Sequence, residues 1–385
     1  MTRGAATVVV GGGVIGASVA WHLASRGSNV VVIDRADGPG RGSTGAATGG
    51  FRAQFGSAIN VRLSLIAREE LLRFHDEVGG DPGYLQAGYL WIAESEEDAS
   101  RLRDARAVQR AAGLHEAVEA SADDARRLQP AIDPERIVAA AFCPTDGFIE
   151  PRAILDGYVS AARRMGAEFR WSEEAVGFDL DADRIVAVRT RRGSIPCGDA
   201  VNAAGAWAAS VAALARVVLP VAPVRRQMAA TVPTRAVPPG APMTLFCDGL
   251  HFRERDGRVI VSSPEQALPL DPFDTAVEPE WIASIEAAKD ARLPGLRGIP
   301  IDPAACWAGL YEMSPDKHAI LGTAGSPRNL WLVNGSSGHG VMHSPALGRL
   351  AAELILDGGA RSLDVRPLAA DRFVSGRANP SPEVL

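Results

Sequence analysis

Gly11, Gly13 and Gly16 form a G-x-G-x-x-G spacing directly after the apolar run Thr7-Val-Val-Val10, and Asp34 closes a second apolar run over residues 29–33. Each position suits the binding of a dinucleotide. Gly11 permits a tight turn, Gly13 lets backbone approach a pyrophosphate at a helix N-terminus, and Gly16 lets the helix sit close on its strand. Asp34 can accept hydrogen bonds from a ribose, and its charge would repel a 2′-phosphate, which disfavours NADP. Val14, Ile15 and Arg35 flank these positions and are expected to touch the same ligand. A glycine-rich turn in any α/β protein would share the composition; the strand, the helix and the acid around this one favour the dinucleotide.

Three further stretches lack bulk. Residues 43–52 read Ser43-Thr44-Gly-Ala-Ala47-Thr48-Gly49-Gly50-Phe-Arg52, with amides and hydroxyls able to face an extended ligand, although a surface linker would look the same. Residues 201–207 offer Ala204, Gly205 and Trp207 after another apolar run. The third is Asn334-Gly-Ser-Ser-Gly338-His339-Gly340, followed by Val341 and Met342. Several such turns imply one long ligand. A helix beginning over 338–341 would stabilise negative charge at the N1/O2 edge of a reduced flavin, a need that nicotinamide lacks.

The elements that must position these turns follow from the pattern. The opening reads strand, glycine turn, helix over 14–26, strand: a βαβ unit. A single amphipathic helix is predicted over 57–78. Beyond a short strand at 88–92, two polar helices begin at the capping boxes Ser95-x-x-Asp98 and Ser121-x-x-Asp124. A helix over 152–165, strands over 176–180 and 185–190, and a Pro-rich region of short strands over 219–305 come next. A strand over 330–334 and a helix over 344–356, ended by Gly358-Gly359, close the chain. There is no internal repeat.

Composition narrows the function classes. The 385 residues are 46% hydrophobic and 22% charged with net charge −6, an ordinary globular balance for one or two domains. Without a Lys/Arg run, nucleic acid is not an expected partner. The four cysteines form no C-x-x-C pair, so no zinc site or disulfide scaffold is expected, and no metal is assigned. With no apolar run long enough for a bilayer and no room for a leader before the first strand, a cytoplasmic protein is expected.

Taken in order, Val8-Val-Val-Gly-Gly-Gly-Val-Ile-Gly16, residues 43–55, residues 201–207, Pro223-Val-Arg-Arg-Gln227, Trp307-Ala-Gly309-Leu-Tyr311-Glu-Met-Ser-Pro-Asp316 and Ser337-Gly-His-Gly340 resemble the D-amino-acid oxidase superfamily over nearly the whole chain, particularly its sarcosine oxidase and proline dehydrogenase β-subunit branch. The resemblance implies an α/β fold with a discontinuous, glutathione-reductase-like Rossmann domain for FAD over 1–84, 146–218 and 306–385. A mixed-sheet substrate domain would cover 85–145 and 219–305. Gly309 and Val176 join the implied cofactor contacts. Arg52 matches the arginine that holds a substrate carboxylate, Tyr311 the tyrosine beside the substrate, and His251 and His343 are candidates at the pocket's border. A surface arginine, a core aromatic and structural histidines are the plain alternatives. His339 is expected to contribute backbone rather than imidazole.

The chain departs from the sarcosine oxidase pattern in four places. Gly309 stands where the flavin-linking cysteine would be, so noncovalent FAD is expected. Met342 replaces a lysine that helps hold the carboxylate. No lysine occurs near 259–261, where the oxygen-activating one would fall, so oxygen or another acceptor can take the electrons. Gly45 and Gly49 replace His and Arg. The implied activity is oxidation of the C–N bond of an N-methyl, cyclic or D-amino acid, or a related amine, to an imine by hydride transfer to flavin N5. The alternatives are a 2-hydroxy-acid or polyol-phosphate dehydrogenase, and a non-catalytic flavoprotein assembly factor, since a branch with a similar Gly-Gly-x-Arg segment serves respiratory-complex assembly. A homo-oligomer or a partner subunit is compatible with either.

Overall fold

Thr7–Val10 and Val30–Ile33 are buried along their whole length, as expected of parallel strands covered on both faces. They are central in a six-stranded sheet whose order is Ile320–Thr323, Leu330–Asn334, Asp199–Asn202, Thr7–Val10, Val30–Ile33, Glu168–Arg170. All neighbours are parallel except Ile320–Thr323 on Leu330–Asn334. The computed structural model describes residues 6–264 and 269–380; residues 1–5 of the stretch before the first strand, where no leader was expected, lie outside them.

One face of this sheet carries the helices Val14–Ser25, Pro151–Arg164 and Gly340–Asp357, joined in one core with Ala58–Leu72. The first and last helices approach closely because both present small residues: a Cβ on Gly348 would lie 2.1 Å from Ser18 Oγ. The other face is covered by the antiparallel strands Ala175–Asp181, Arg184–Thr190 and Gly193–Pro196 and the helix Ala208–Ala213.

The eight-stranded second sheet runs Trp307–Met313, Ala222–Ala230, Arg258–Ser262, His251–Arg255, Met243–Phe246, Tyr89–Ala93, Ala139–Cys143, Val118–Ala120. It is mixed, since Met243–Phe246 pairs parallel with Tyr89–Ala93 and the others pair antiparallel. A separate core lies behind it. The expected boundary at 306 put Trp307–Met313 with the nucleotide sheet. The strand instead pairs with Ala222–Ala230 along seven residues, so its backbone is satisfied in the second sheet.

Two helices differ from expectation. The predicted 57–78 helix breaks at Arg73 (φ −100°, ψ 3°) into Ala58–Leu72 and Phe74–Glu77, and Phe74 turns into the core against Tyr158, ring centroids 5.1 Å apart. The last helix starts at Gly340, within the 338–341 beginning expected at the flavin edge and ahead of the 344 given for its body. Pro345 inside it lacks only the N–H that would bond Val341, and the Ser344 hydroxyl donates to that carbonyl instead at 2.9 Å. It ends at Gly358 in the left-handed conformation, φ 73°. Both polar helices of the cap form where expected, with the full capping box at Ser121.

Candidate active site

One continuous cavity of about 860 Å³ runs between the two sheets, near the top of the roughly 300–1,000 Å³ range of small-molecule sites. Gly11, Gly13, Val14 and Ile15 line it, as do Asp34 and Arg35, Ala204, Gly205 and Trp207, and Gly338 through Met342. The turns separated in sequence are therefore one wall. Gly16 is not in that wall. A Cβ there would lie 1.9 Å from Gly11 O, so its role is to seat the helix on the strand. A Cβ on Gly13 would meet only Thr44 Oγ1 at 3.4 Å, leaving its surface open to a ligand.

The helices Val14–Ser25 and Gly340–Asp357 both begin without a side-chain cap, at Gly13 and His339. Residues of both first turns line the cavity, so two positive helix ends face one long space, although Val14 N donates to Thr44 Oγ1 at 3.2 Å. Asp34 fixes the turn with both oxygens, accepting from Gly12 N at 2.7 Å and Ala36 N at 2.8 Å. Arg35 lies 4.1 Å over the Trp207 ring, which also stacks on Phe273. These features fit FAD, whose pyrophosphate would lie at the first helix end and whose flavin edge would face the second.

Ser43, Thr44, Ala47, Thr48, Gly49 and Gly50 line the same cavity, so the small-residue segment is a wall and not a surface linker. Residues from the second sheet and from the turn before 147 hold it. Trp307 Nε1 donates to Ala46 O (2.9 Å), Arg253 to Thr48 O (2.9 Å), and buried Asp146 accepts from Ala53 N (2.8 Å). Burial pushes the Asp146 carboxyl up to about 6 against those hydrogen bonds. Gly309 also lines the cavity, and a Cβ there would approach Ala46 Cβ to 2.7 Å. Val176 differs: its side chain is 39% exposed, and the neighbours Glu173 to Ala175 form the wall instead.

Arg52, Tyr311 and His251 also line the cavity. Arg52 is 3% exposed, its guanidinium 4.4 Å over Phe55 and 5.1 Å over Trp91. Its Nη2 lies 3.0 Å from His339 Nε2; guanidinium only donates, so the imidazole accepts there and is neutral. Burial, with Arg52 next, holds the His339 pKa well below its usual value. The His339 imidazole thus has a contact of its own with Arg52, beside the backbone contribution expected of it. The placing of His343 is corrected: it does not line the cavity but sits 1% exposed in the core, 2.9 Å from Ser64 Oγ, where burial and then Arg52 drive its pKa down to about 3.

Tyr311 is packed against Gly338, where a Cβ would lie 2.4 Å from its ring. Burial raises its phenol pKa while Arg226 and Arg52 lower it. His251 Nδ1 lies 2.9 Å from Gly249 O, which can only accept, so Nδ1 carries the proton and Nε2 is an acceptor. Burial keeps this imidazole neutral, opposed by the Gly249 bond and helped by the two arginines. Sequence reasoning missed Asp146, Tyr89, Arg226 and Glu312. The Pro223-Val-Arg-Arg-Gln227 motif named Arg226 without showing which of its arginines turns inward.

Residues 6–354 match the family described as FAD dependent oxidoreductase. The chain is 28% identical over 96% of its length to FAD-dependent oxidoreductase domain-containing protein 1 of Xenopus laevis, covering 82% of that protein. It is 25% identical over 97% of its length to 4-methylaminobutanoate oxidase (formaldehyde-forming) of Paenarthrobacter nicotinovorans, covering 46% of it. The solved L-proline dehydrogenase from P. horikoshii superposes with TM-score 0.90 at 27% identity, over 98% of this chain and 100% of that one.

Proposed function

Because the chain belongs to the FAD dependent oxidoreductase family, we propose that it oxidises the C–N bond of a small amino acid or amine to an imine, which water then hydrolyses. The observation that carries this reading is the buried Arg52 guanidinium, stacked and oriented at one end of the cavity beside Tyr311 and His251. Bound FAD would accept the hydride at N5. The residues of the chain need only bind and orient. Arg52 would hold a carboxylate by a paired charged contact. His251 Nε2, an acceptor at neutral pH, can take a hydrogen bond from the amine and bias it toward the neutral form that donates hydride. Tyr311 and the wall at Gly338 fix the face presented. The same clamp would serve a 2-hydroxy acid, so the donor must be identified directly.

Anaerobic mixing of the holoprotein with N-methyl, cyclic, D- and L-amino acids and with hydroxy acids tests this. Bleaching of the flavin by an amine is expected, and bleaching by hydroxy acids alone would overturn the C–N assignment. Admitting air then separates an oxidase from a dehydrogenase. Failure of the whole panel would favour a non-catalytic flavoprotein.

A further inference from the structure

In the nucleotide sheet the strand Thr7–Val10 lies between Asp199–Asn202 and Val30–Ile33, so the glycine turn that follows it is flanked by the segments leaving those two neighbours. Trp207 belongs to one flank and Arg35 to the other. Two strand spacings, about 10 Å, separate the flanking backbones. The side chains close that distance, with the Arg35 guanidinium carbon 4.1 Å from the indole ring. Their contact spans the end of the strand whose turn, Gly11 to Gly13, suits a pyrophosphate. A Cβ on Gly42 would lie 3.7 Å from the same indole, so the chain leaving Asp34 comes back to Trp207 a second time. Arg35, Gly42 and Trp207 all line the cavity.

A third segment braces the indole, and it is carried by the second sheet. Phe273 stacks on Trp207 with ring centroids 5.5 Å apart and planes within 9°. Its loop is folded on itself, since Asp271 accepts from Phe273 N at 2.9 Å and Asp274 from Ala276 N at 2.8 Å. The strand Ala222–Ala230 anchors it: buried Arg225 donates to Ala276 O at 3.1 Å and pairs with Glu278 at 2.7 Å, and Gln227 Oε1 accepts from Glu278 N at 2.7 Å. We propose that Arg35 and Trp207 form a clasp across the pyrophosphate turn, that FAD enters and leaves when this clasp opens, and that Phe273 is the positioning residue that holds it shut. Swinging the indole away from Arg35 forfeits a cation–π contact and an aromatic stack together. The second sheet thereby sets how long the cofactor stays on the first. The inference stands apart from the identity of the donor that is oxidised.

Exchange of isotope-labelled FAD on the holoprotein against excess unlabelled FAD, with the rate of FAD association to the apoprotein, tests this without turnover. Phe273→Ala should speed FAD loss about 3- to 10-fold, the worth of one aromatic pair. Association should quicken as well, because one opening serves both directions. Phe273→Tyr should restore both rates, whereas Phe273→Leu, which keeps bulk without a ring to stack, should not. Trp207→Ala should speed loss at least as much, and adding Phe273→Ala to it should change little more. Phe273 is half-buried in a loop, so the denaturation midpoint of the Phe273→Ala apoprotein should stay where it is. An unchanged exchange rate in Phe273→Ala would overturn the proposal, and so would rescue by leucine or full additivity with Trp207→Ala. Faster loss with unchanged association would make the ring a direct support of bound FAD and also sink the clasp. Should Trp207→Ala fail to fold, the alanine, tyrosine and leucine variants of Phe273 still decide the matter.

Discussion

Arg52 and His339 constrain each other through one 3.0 Å contact: the guanidinium must donate, so the imidazole must be neutral, and protonating it would place two cations side by side. Arg52→Ala should raise KM for a carboxylate-bearing donor by roughly 100-fold. The decarboxylated amine should be unaffected, and steady-state kinetics on the pair would expose a purely structural Arg52 by equal losses. His343 sets a pH dependence. Its folded pKa, about 3, lies below its unfolded value near 6.5. Above that unfolded value the group is neutral in both states and contributes nothing. As pH falls from about 6.5 toward 3 the unfolded chain takes up a proton that the folded one refuses, and stability drops. His343→Gln, which can still meet Ser64, should therefore flatten the fall in melting temperature between about pH 7 and pH 5; parallel curves would show that His343 is protonated in the native state.

Two glycines of the first turn do different work at the level of the element. Gly16 sits where the helix Val14–Ser25 crosses Gly11, and any Cβ would collide with a backbone carbonyl at 1.9 Å. Gly13 has φ −71° and a neighbour no closer than 3.4 Å, so alanine fits the protein itself. Gly16→Ala should destabilise the apoprotein by about 2–4 kcal/mol, a strained overpacking. Gly13→Ala should leave apoprotein unfolding within about 0.5 kcal/mol of the parent while weakening FAD binding, because the added methyl occupies ligand space. Denaturant curves on both, with a flavin titration, would contradict this division if Gly13→Ala were equally destabilising. The helix Gly340–Asp357 shows how a local rule can mislead: Pro345 reads as a helix start, yet the Ser344 hydroxyl takes over the lost bond and frees the preceding turn to be helical.

For the whole molecule, the cavity lies between two sheets with separate cores, so a dinucleotide there bridges them. FAD at about 100 times its Kd should add roughly 2.7 kcal/mol to the unfolding free energy, with the melting temperature rising with FAD concentration. Acid precipitation should release the flavin to the supernatant, since the residue facing the small-residue segment is Gly309, hemmed by Ala46. Yellow pellet and clear supernatant would mean a covalent link. Much of this was legible in the chain because it is local: G-x-G-x-x-G with Asp34 dictates a strand, turn and helix within a few tens of residues, and bulk-free turns mark where backbone must meet a ligand. The assignment of Trp307–Met313 to the second sheet was not legible, because strand pairing is settled by which distant partner satisfies its backbone. Neither was the direction of a side chain across a sheet. Of four candidate catalytic residues, Arg52, Tyr311 and His251 face the cavity while His343 is core, and Arg226 faces it where its neighbour Arg225 does not. The order of residues determines turn chemistry and strand runs through covalent neighbours alone; which charges share a closed space depends on register and packing between segments far apart, and only the folded chain decides it.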